Sequence, residues 1–216
     1  MERWASFDCY GTLIDWNGGI RAELARVFGD DQADAQLVRY HDLEPELERD
    51  GTASYRQVMI EAMRRLGAPA GAEHGLAESL PTWTAFPEVH GALTEAHARG
   101  WKLAILSNTD TGYIAVSQVQ IGVPFDEIVV AQEIGSYKPA HHHWDEFFHR
   151  THAPREGHVH VGASLFHDIV PSNELGLRSI WINRLGETAT GVAPTRELTD
   201  LSRLADTLDE LVPTGG

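Results

Sequence analysis

Short apolar runs alternate with amphipathic segments along most of the chain. Patterns typical of buried strands occur at residues 4–7, 102–106, 127–130, 158–161 and 179–182. Between these runs, apolar residues recur at helical spacing, and Gly100 and Gly176 stand where helices are predicted to end. A last amphipathic helix is predicted by five spaced leucines, namely Leu198, Leu201, Leu204, Leu208 and Leu211. Strands and helices in alternation predict an α/β fold with an open parallel sheet covered by helices on both faces.

One long segment breaks this alternation. From Asp15 to about Trp83 no strand-like run occurs, and the apolar positions follow helical spacing instead. The segment therefore predicts an all-helical cap at residues 15–85, inserted into a Rossmann-like core made of residues 1–14 and 86–216.

Composition narrows the functional classes. The 216 residues include 17 Lys and Arg against 32 Asp and Glu, a formal net charge of −15. Such an excess of carboxylates argues against nucleic acid or an anionic membrane as the main partner. No apolar run is long enough for a membrane span, and the start of the chain lacks the apolar core of a signal peptide. A single cysteine, Cys9, excludes an intrachain disulfide and fits a reducing compartment, so we expect a cytoplasmic protein.

Polar side chains follow four of the predicted strands. Asp8 comes after the first, Ser107 and Asn108 after the second, Lys138 after the third and Asp168 after the fourth. Ligands of open α/β sheets bind at the carboxyl ends of the strands. The sequence therefore predicts a site at which these side chains meet.

The same segments carry a family resemblance. The stretches 7–13, 106–108, 137–139 and 161–168 resemble the four motifs of the haloacid dehalogenase superfamily, and the helical insertion resembles its cap. The resemblance implies that Asp8 is a nucleophile surrounded by Thr12, Ser107, Asn108, Lys138 and Asp168.

Two positions indicate the subclass. Phosphatases of the superfamily carry a second Asp two residues after the nucleophile, as an acid for the leaving alcohol, whereas this chain has Tyr10. A phenol with a reference pKa near 10 is a poor proton donor at neutral pH. Ala163 stands where phosphatases place a metal-binding acid in the fourth motif. The pattern is similar to the type II L-2-haloacid dehalogenases, whose halide leaving group needs no proton, so we expect no metal and no cofactor.

The resemblance also implies a substrate and roles. Arg39 matches the cap arginine with which dehalogenases hold the substrate and assist the departing halide, together with Asn108. Ser107 is expected to bind the substrate carboxylate, with Tyr10 and Thr12 also lining the substrate site. Lys138 is expected to keep Asp8 ionised, and Asp168 to act as the base or to position water. The expected substrate is a small anionic 2-haloalkanoate, fluoroacetate included, and the product a 2-hydroxy acid.

Three departures keep alternatives open. Ala163 and Leu165 replace the Ser and Asn that order the hydrolytic water in characterised dehalogenases, and Trp144 replaces an expected tyrosine. His167 is a candidate to compensate for them. The alternatives are a Mg²⁺-dependent phosphatase or phosphonate hydrolase of the same superfamily, and a non-catalytic binding module on this scaffold. A homodimer is expected from the resemblance alone.

Overall fold

The computed structural model describes residues 1–49, 51 and 53–214. Among these residues, six strands are formed: β1 Arg3–Phe7, β2 Trp101–Ser107, β3 Glu127–Val130, β4 His158–Gly162, β5 Arg178–Ile182 and β6 Arg196–Leu198. The α-helices of the described residues are α1 Trp16–Phe28, α2 Asp30–Glu48, α3 Tyr55–Leu66, α4 Gly75–Ser79, α5 Val89–Ala98, α6 Thr111–Ile121, α7 Ala131–Ile134, α8 His142–Thr151, α9 Val170–Glu174 and α10 Leu204–Leu211.

All strands run parallel in one sheet with the order β3-β2-β1-β4-β5-β6. In the centre, Phe7 of β1 is in register with Ile105 of β2 and Val161 of β4. Every residue of β1 is buried, as expected for a strand covered on both faces. The predicted α/β fold with a parallel sheet is therefore confirmed, and β1 delivers the residues after Phe7 to the middle of the carboxyl edge.

The end of the chain differs from the prediction. The leucine pattern predicts a helix that starts near Leu198, but α10 begins at Leu204. The residues just before it, Arg196–Leu198, instead form β6 and pair with Ile180–Ile182 on the sheet edge. These residues pair as a strand because the backbone groups on that edge of β5 would otherwise be unpaired. The free energy of this pairing outweighs the weak helical pattern of a few residues.

Two linkers join the helical segment α1–α4 to the sheet. Ile14 forms a bridge with Ala85, the amide of Asp15 donates to the carbonyl of Thr84 at 2.9 Å, and the amide of Phe86 donates to the carbonyl of Leu13 at 3.0 Å. The outgoing and returning chain thus run side by side beside the carboxyl end of β1. The domain boundaries at 15 and 85 stay a prediction.

Helix α3 illustrates how the helical segment is held together. The Ser54 hydroxyl caps its first turn by accepting from the amide of Gln57, and the amide of Ser54 donates to Oε1 of Gln57. Gly67 ends the helix in a left-handed conformation. One face of the helix is buried, through Tyr55, Val58, Met59, Ala62, Met63 and Leu66. Of the helices described, none is both long and apolar enough to cross a membrane.

Candidate active site

The carboxyl edge of the central strands carries a buried ion cluster. The Nζ atom of Lys138 lies 3.0 Å from Oδ1 of Asp8 and 2.7 Å from Oδ1 of Asp168. The side chain of Lys138 is 1% exposed, and that of Asp168 is fully buried. Because buried charges are tolerated only when they are paired, the three groups form one electrostatic unit.

The environment pulls the pKa values of the three groups in different directions. Burial raises the pKa of Asp8 to about 6, against the attraction of Lys138. Burial alone would raise the pKa of Asp168, but Lys138 and the hydrogen bond from His160 outweigh it and hold that pKa far below its usual range. Burial opposes the charge on Lys138, yet Asp168 and Asp8 together raise its pKa. At pH 7 the lysine is therefore charged and both aspartates are ionised.

Thr12 holds the second oxygen of the central carboxylate. Its hydroxyl donates to Oδ2 of Asp8 at 2.9 Å and accepts from the amide of Ala163 at 2.9 Å. The intervening Gly11 adopts φ +90°, which allows the chain after β1 to turn back toward β4. Asp8 is thus fixed through both oxygens.

Asn108 and Ser107 lie beside this cluster at the end of β2. The Asn108 amide is held by the backbone of Lys138, with Oδ1 accepting at 2.6 Å and Nδ2 donating at 3.0 Å. Its Nδ2 also donates to Oε2 of Glu48 at 3.1 Å. The Ser107 hydroxyl is buried and has no partner among the described residues. Ser107 therefore offers an unused hydrogen-bonding group at the cavity.

Tyr10 also lines the cavity, but its hydroxyl is engaged elsewhere. The phenol oxygen lies 2.9 Å from Oγ of Ser117 on α6. Burial raises the pKa of Tyr10 well above its ordinary value. The phenol is therefore neutral and a poor acid at physiological pH.

Asp168 is carried by a widened turn after β4. Residues Leu165–Ile169 form a π-helical turn whose start is capped by Oγ of Ser164, and the amide of Ser164 donates to Oδ2 of Asp168 at 3.1 Å. Turns of this kind are frequent at functional sites. A Cβ atom on Gly162 would lie 2.4 Å from the Asp168 carboxyl, so only glycine fits there. The turn thus fixes the buried carboxylate.

The departures from the dehalogenase motifs lie in or under this turn. Leu165 starts it, and the backbone of Ala163 joins it to Thr12. Trp144 is fully buried beneath the site and packs edge-on against His160, with ring centroids 5.0 Å apart. It therefore does not line the cavity.

A cavity of about 190 Å³ opens above the cluster. It is lined by Asp8, Tyr10, Trp16, His41, Glu44, Pro45, Glu48, Tyr55, Ser107, Asn108, Lys138, Ser164, His167 and Asp168. The core supplies the floor, and α1, α2 and the start of α3 supply the roof. Six of the eight predicted site residues line this cavity. Thr12 does not line it, but its hydroxyl binds Asp8, which does.

The eighth, Arg39, is not brought to the cavity, and its expected role stays a prediction. The structure places it outside the cavity, exposed, with its guanidinium donating to Oε1 of Gln36 at 2.9 Å and to the carbonyl of Arg65 at 3.3 Å. The buried face of α2 runs through Gln36, Tyr40, Glu44 and Glu48. Arg39 precedes Tyr40 by one residue, about 100° around a helix with 3.6 residues per turn, and so faces away.

Sequence reasoning missed the two carboxylates on that face. Glu44 Oε1 accepts from Tyr55 at 2.7 Å and from Tyr40 at 3.3 Å. Glu48 is 5% exposed, and its Oε2 also lies 3.9 Å from Nε2 of His167. The signal was present in the four-residue spacing of Tyr40, Glu44 and Glu48, which places them on one helix face.

Burial is the largest influence on the pKa values of these two glutamates and of two histidines that line the same cavity. It raises the pKa of Glu44 to about 7 and that of Glu48 well above its usual range. It lowers the pKa of His167 to about 4 and also lowers that of His41. Both histidines are therefore uncharged at neutral pH, and the glutamates hold protons more tightly than surface carboxyls do.

Within the described residues, no three His, Cys, Asp or Glu side chains are grouped as a metal site would require. Lys138 occupies the space between Asp8 and Asp168. The arrangement places an oriented carboxylate in a small, partly closed cavity, as nucleophilic catalysis requires.

The chain is similar in sequence and in structure to known dehalogenases. The chain is similar to (S)-2-haloacid dehalogenase H-109 of Pseudomonas putida, with 26% identity covering 94% of this chain and 96% of the relative. It is similar to haloacetate dehalogenase H-2 of Moraxella sp. (strain B), with 28% identity over 90% and 91% of the two chains. The crystal structure of the L-2-haloacid dehalogenase RSc1362 superposes with a TM-score of 0.86 at 25% identity, over 96% of this chain and 99% of that one.

The family model described as haloacid dehalogenase-like hydrolase matches residues 6–182, a span that runs from β1 to the end of β5 and contains all four motifs. The chain belongs to the haloacid dehalogenase-like hydrolase family.

Proposed function

We propose that this hydrolase displaces halide from a carbon atom of a small haloacid, using Asp8 as the nucleophile. The observation that carries the proposal is the fixed Asp8 carboxylate, bound by Lys138 and Thr12 at the floor of a cavity in which Tyr10 replaces the acid of phosphatases. The dehalogenase relatives support 2-haloalkanoates, haloacetates included, as the substrate class to test.

In the first step, an oxygen of Asp8 forms a bond to the halogen-bearing carbon. The carbon–halogen bond breaks, and the halide leaves with the bonding electron pair, which gives an aspartyl ester. The Ser107 hydroxyl, which has no partner among the described residues, is a donor for the substrate's carboxylate. The Asn108 amide donates to the Lys138 carbonyl and to Glu48, and it would meet the departing halide by releasing Glu48. A halide needs no proton, so the neutral Tyr10 suffices.

In the second step, water attacks the ester carbonyl carbon of Asp8. The bond from that carbon to the ester oxygen breaks, the 2-hydroxy acid leaves with one former Asp8 oxygen, and the carboxylate is restored. The net reaction releases one proton and one halide ion.

For this step we propose a base other than Asp168, which the family resemblance implies. Asp168 is fully buried, both of its oxygens accept hydrogen bonds, and its pKa is far below the usual range. We therefore assign to it the role of positioning the Lys138 ammonium group. We assign the proton of the attacking water to His167, which lines the cavity and is uncharged at neutral pH, although burial lowers its pKa to about 4 and makes it a weak base. Glu48, 3.9 Å away, would stabilise the imidazolium when the glutamate is ionised.

A halide assay tests the proposal. The wild-type protein and Asp8→Asn are incubated with 2-chloropropionate, bromoacetate and fluoroacetate without added metal, and halide is measured by ion chromatography. We expect halide release by the wild type from at least one compound and none by Asp8→Asn. Turnover of p-nitrophenyl phosphate with Mg²⁺, without halide release from any haloacid, would favour the phosphatase alternative and contradict the proposal.

A further inference from the structure

The roof of the cavity carries two buried carboxyl groups where a binder of simple haloacids needs positive charge. Glu44 and Glu48 are 7% and 5% exposed, and both line the cavity. Among the described residues, hydrogen bonds reach Oε1 of Glu44 and Oε2 of Glu48. Within that part of the chain, the second oxygen of each carboxyl has no partner.

The cavity holds little positive charge to balance them. Lys138 is the one lysine or arginine in its lining as described, and its ammonium group is already shared by Asp8 and Asp168. The nearby histidines, His41 and His167, are uncharged at neutral pH because burial lowers their pKa values. A substrate with only a carboxylate would add a further negative charge to this space.

The floor and the roof differ in what they offer a ligand. On the floor, the buried Ser107 hydroxyl is 1% exposed, unpartnered among the described residues, and a donor suited to a carboxylate. On the roof, two carboxyls stand next to the aromatic rings of Trp16 and Tyr55, and carboxylates with aromatic faces are a common setting for an ammonium group.

We propose that the substrate is a haloacid that also carries an ammonium group, with its carboxylate on the core side and its ammonium group bound by Glu44 and Glu48. This inference rests on the proposed dehalogenase function and names the substrate class within it. A bound ammonium group favours the ionised form of both glutamates, against the burial that raises their pKa values.

A pair of compounds of the same shape tests the charge alone. In 3-amino-2-chloropropionate, an ammonium group takes the place of the methyl group of 2-chlorobutyrate. We expect the wild-type kcat/KM for the amino compound to exceed that for 2-chlorobutyrate by at least about tenfold, the effect of one charge-assisted hydrogen bond. A protein-free control subtracts spontaneous chloride loss.

Isosteric variants of the two glutamates test whether they cause the preference for the amino compound. Glu44→Gln with Glu48→Gln should reduce the ratio of the two kcat/KM values to near one, mainly through the KM of the amino compound. The water step follows the loss of chloride, so an effect of Glu48 on that step does not enter kcat/KM for either compound. Glu46→Gln is the matched control, since Glu46 lies on the same helix but is half exposed and pairs with Arg65. It should leave the ratio unchanged.

Binding separates this inference from the function on which it rests. Calorimetry on the wild type with the two products, 3-amino-2-hydroxypropionate and 2-hydroxybutyrate, reads the charge preference without turnover. Absence of halide release with tighter binding of the amino product would overturn the dehalogenase function and keep the charge assignment. Preference for 2-chlorobutyrate and its product, unchanged in the double variant, would overturn the inference. Glutamate-dependent binding of Mg²⁺ alone would also overturn it.

Discussion

At the scale of single residues, the site depends on which carboxylates are free to react. Asp8 and Asp168 touch the same ammonium group and both line the cavity, but the side chain of Asp8 is 12% exposed, whereas that of Asp168 is fully buried. Lys138 and the hydrogen bond from His160 outweigh burial and keep Asp168 ionised. The partial exposure and raised pKa of Asp8 leave it as the group that can attack a substrate.

The pKa of Asp8 predicts a pH profile. Its carboxylate must be ionised to attack, and its pKa is about 6, so kcat/KM should rise with pH and level off above about 6. The pH dependence of halide release checks this. Glu44 titrates near 7, and the profile of Glu44→Gln separates the two groups. A profile of Glu44→Gln that is flat between pH 4.5 and 8, or falls with rising pH, would contradict the assignment of Asp8.

Tyr10 gives a second test at this scale. Because the halide needs no proton and the phenol is bound to Ser117, Tyr10→Phe should lower kcat by only a few-fold. An acid that protonates the leaving group contributes roughly 10²–10⁴-fold. Loss of that size in steady-state halide release, with an unchanged melting temperature, would show that a proton donor is needed after all.

At the scale of elements, the strands could be predicted because buried parallel strands are uninterrupted apolar runs with polar residues at their ends. The missed strand, Arg196–Leu198, is a short, mostly exposed edge strand, and neighbouring β5 rather than its own pattern decides its state. The roof residues could not be predicted from a motif. A shift of one residue on α2 separates Arg39, which faces outward, from Tyr40 and the glutamates below it.

The turn after β4 can be tested through its glycine. Gly162→Ala would bring a methyl group to within 2.5 Å of Asp168, push this carboxylate off Lys138 and lower kcat by at least about tenfold. Gly112→Ala is the control, because an added Cβ there meets nothing within 4 Å on helix α6. Steady-state halide release and thermal melting of both variants check the claim. Equal activity of the two variants would show that the position of Asp168 is unimportant.

At the scale of the whole molecule, the net charge of −15 surrounds a site that must admit an acid. A field of this sign repels anions and is screened by salt over about 8 Å at physiological ionic strength. A substrate whose carboxylate is balanced by an ammonium group feels little of this repulsion. The overall composition and the two carboxyl groups of the cavity roof therefore favour the same substrate class.

Ionic strength tests this effect. Added sodium nitrate should raise kcat/KM for 2-chlorobutyrate by about two- to threefold between 0.01 M and 0.15 M, as screening removes the repulsion. The value for 3-amino-2-chloropropionate should change little. Chloride release, measured by ion chromatography, gives both values. A decrease for 2-chlorobutyrate would mean that an attractive cation guides it to the site.

The ester of Asp8 is the central claim, and isotope transfer tests it most directly. The protein turns over 3-amino-2-chloropropionate or 2-chloropropionate many times in H₂¹⁸O, and mass spectrometry then locates the label in its peptides. We predict that ¹⁸O enters the carboxyl group of Asp8, because water attacks that carbon. Chloride release with an unlabelled Asp8, and with solvent oxygen already in the product of the first turnover, would mean that water attacks the substrate directly.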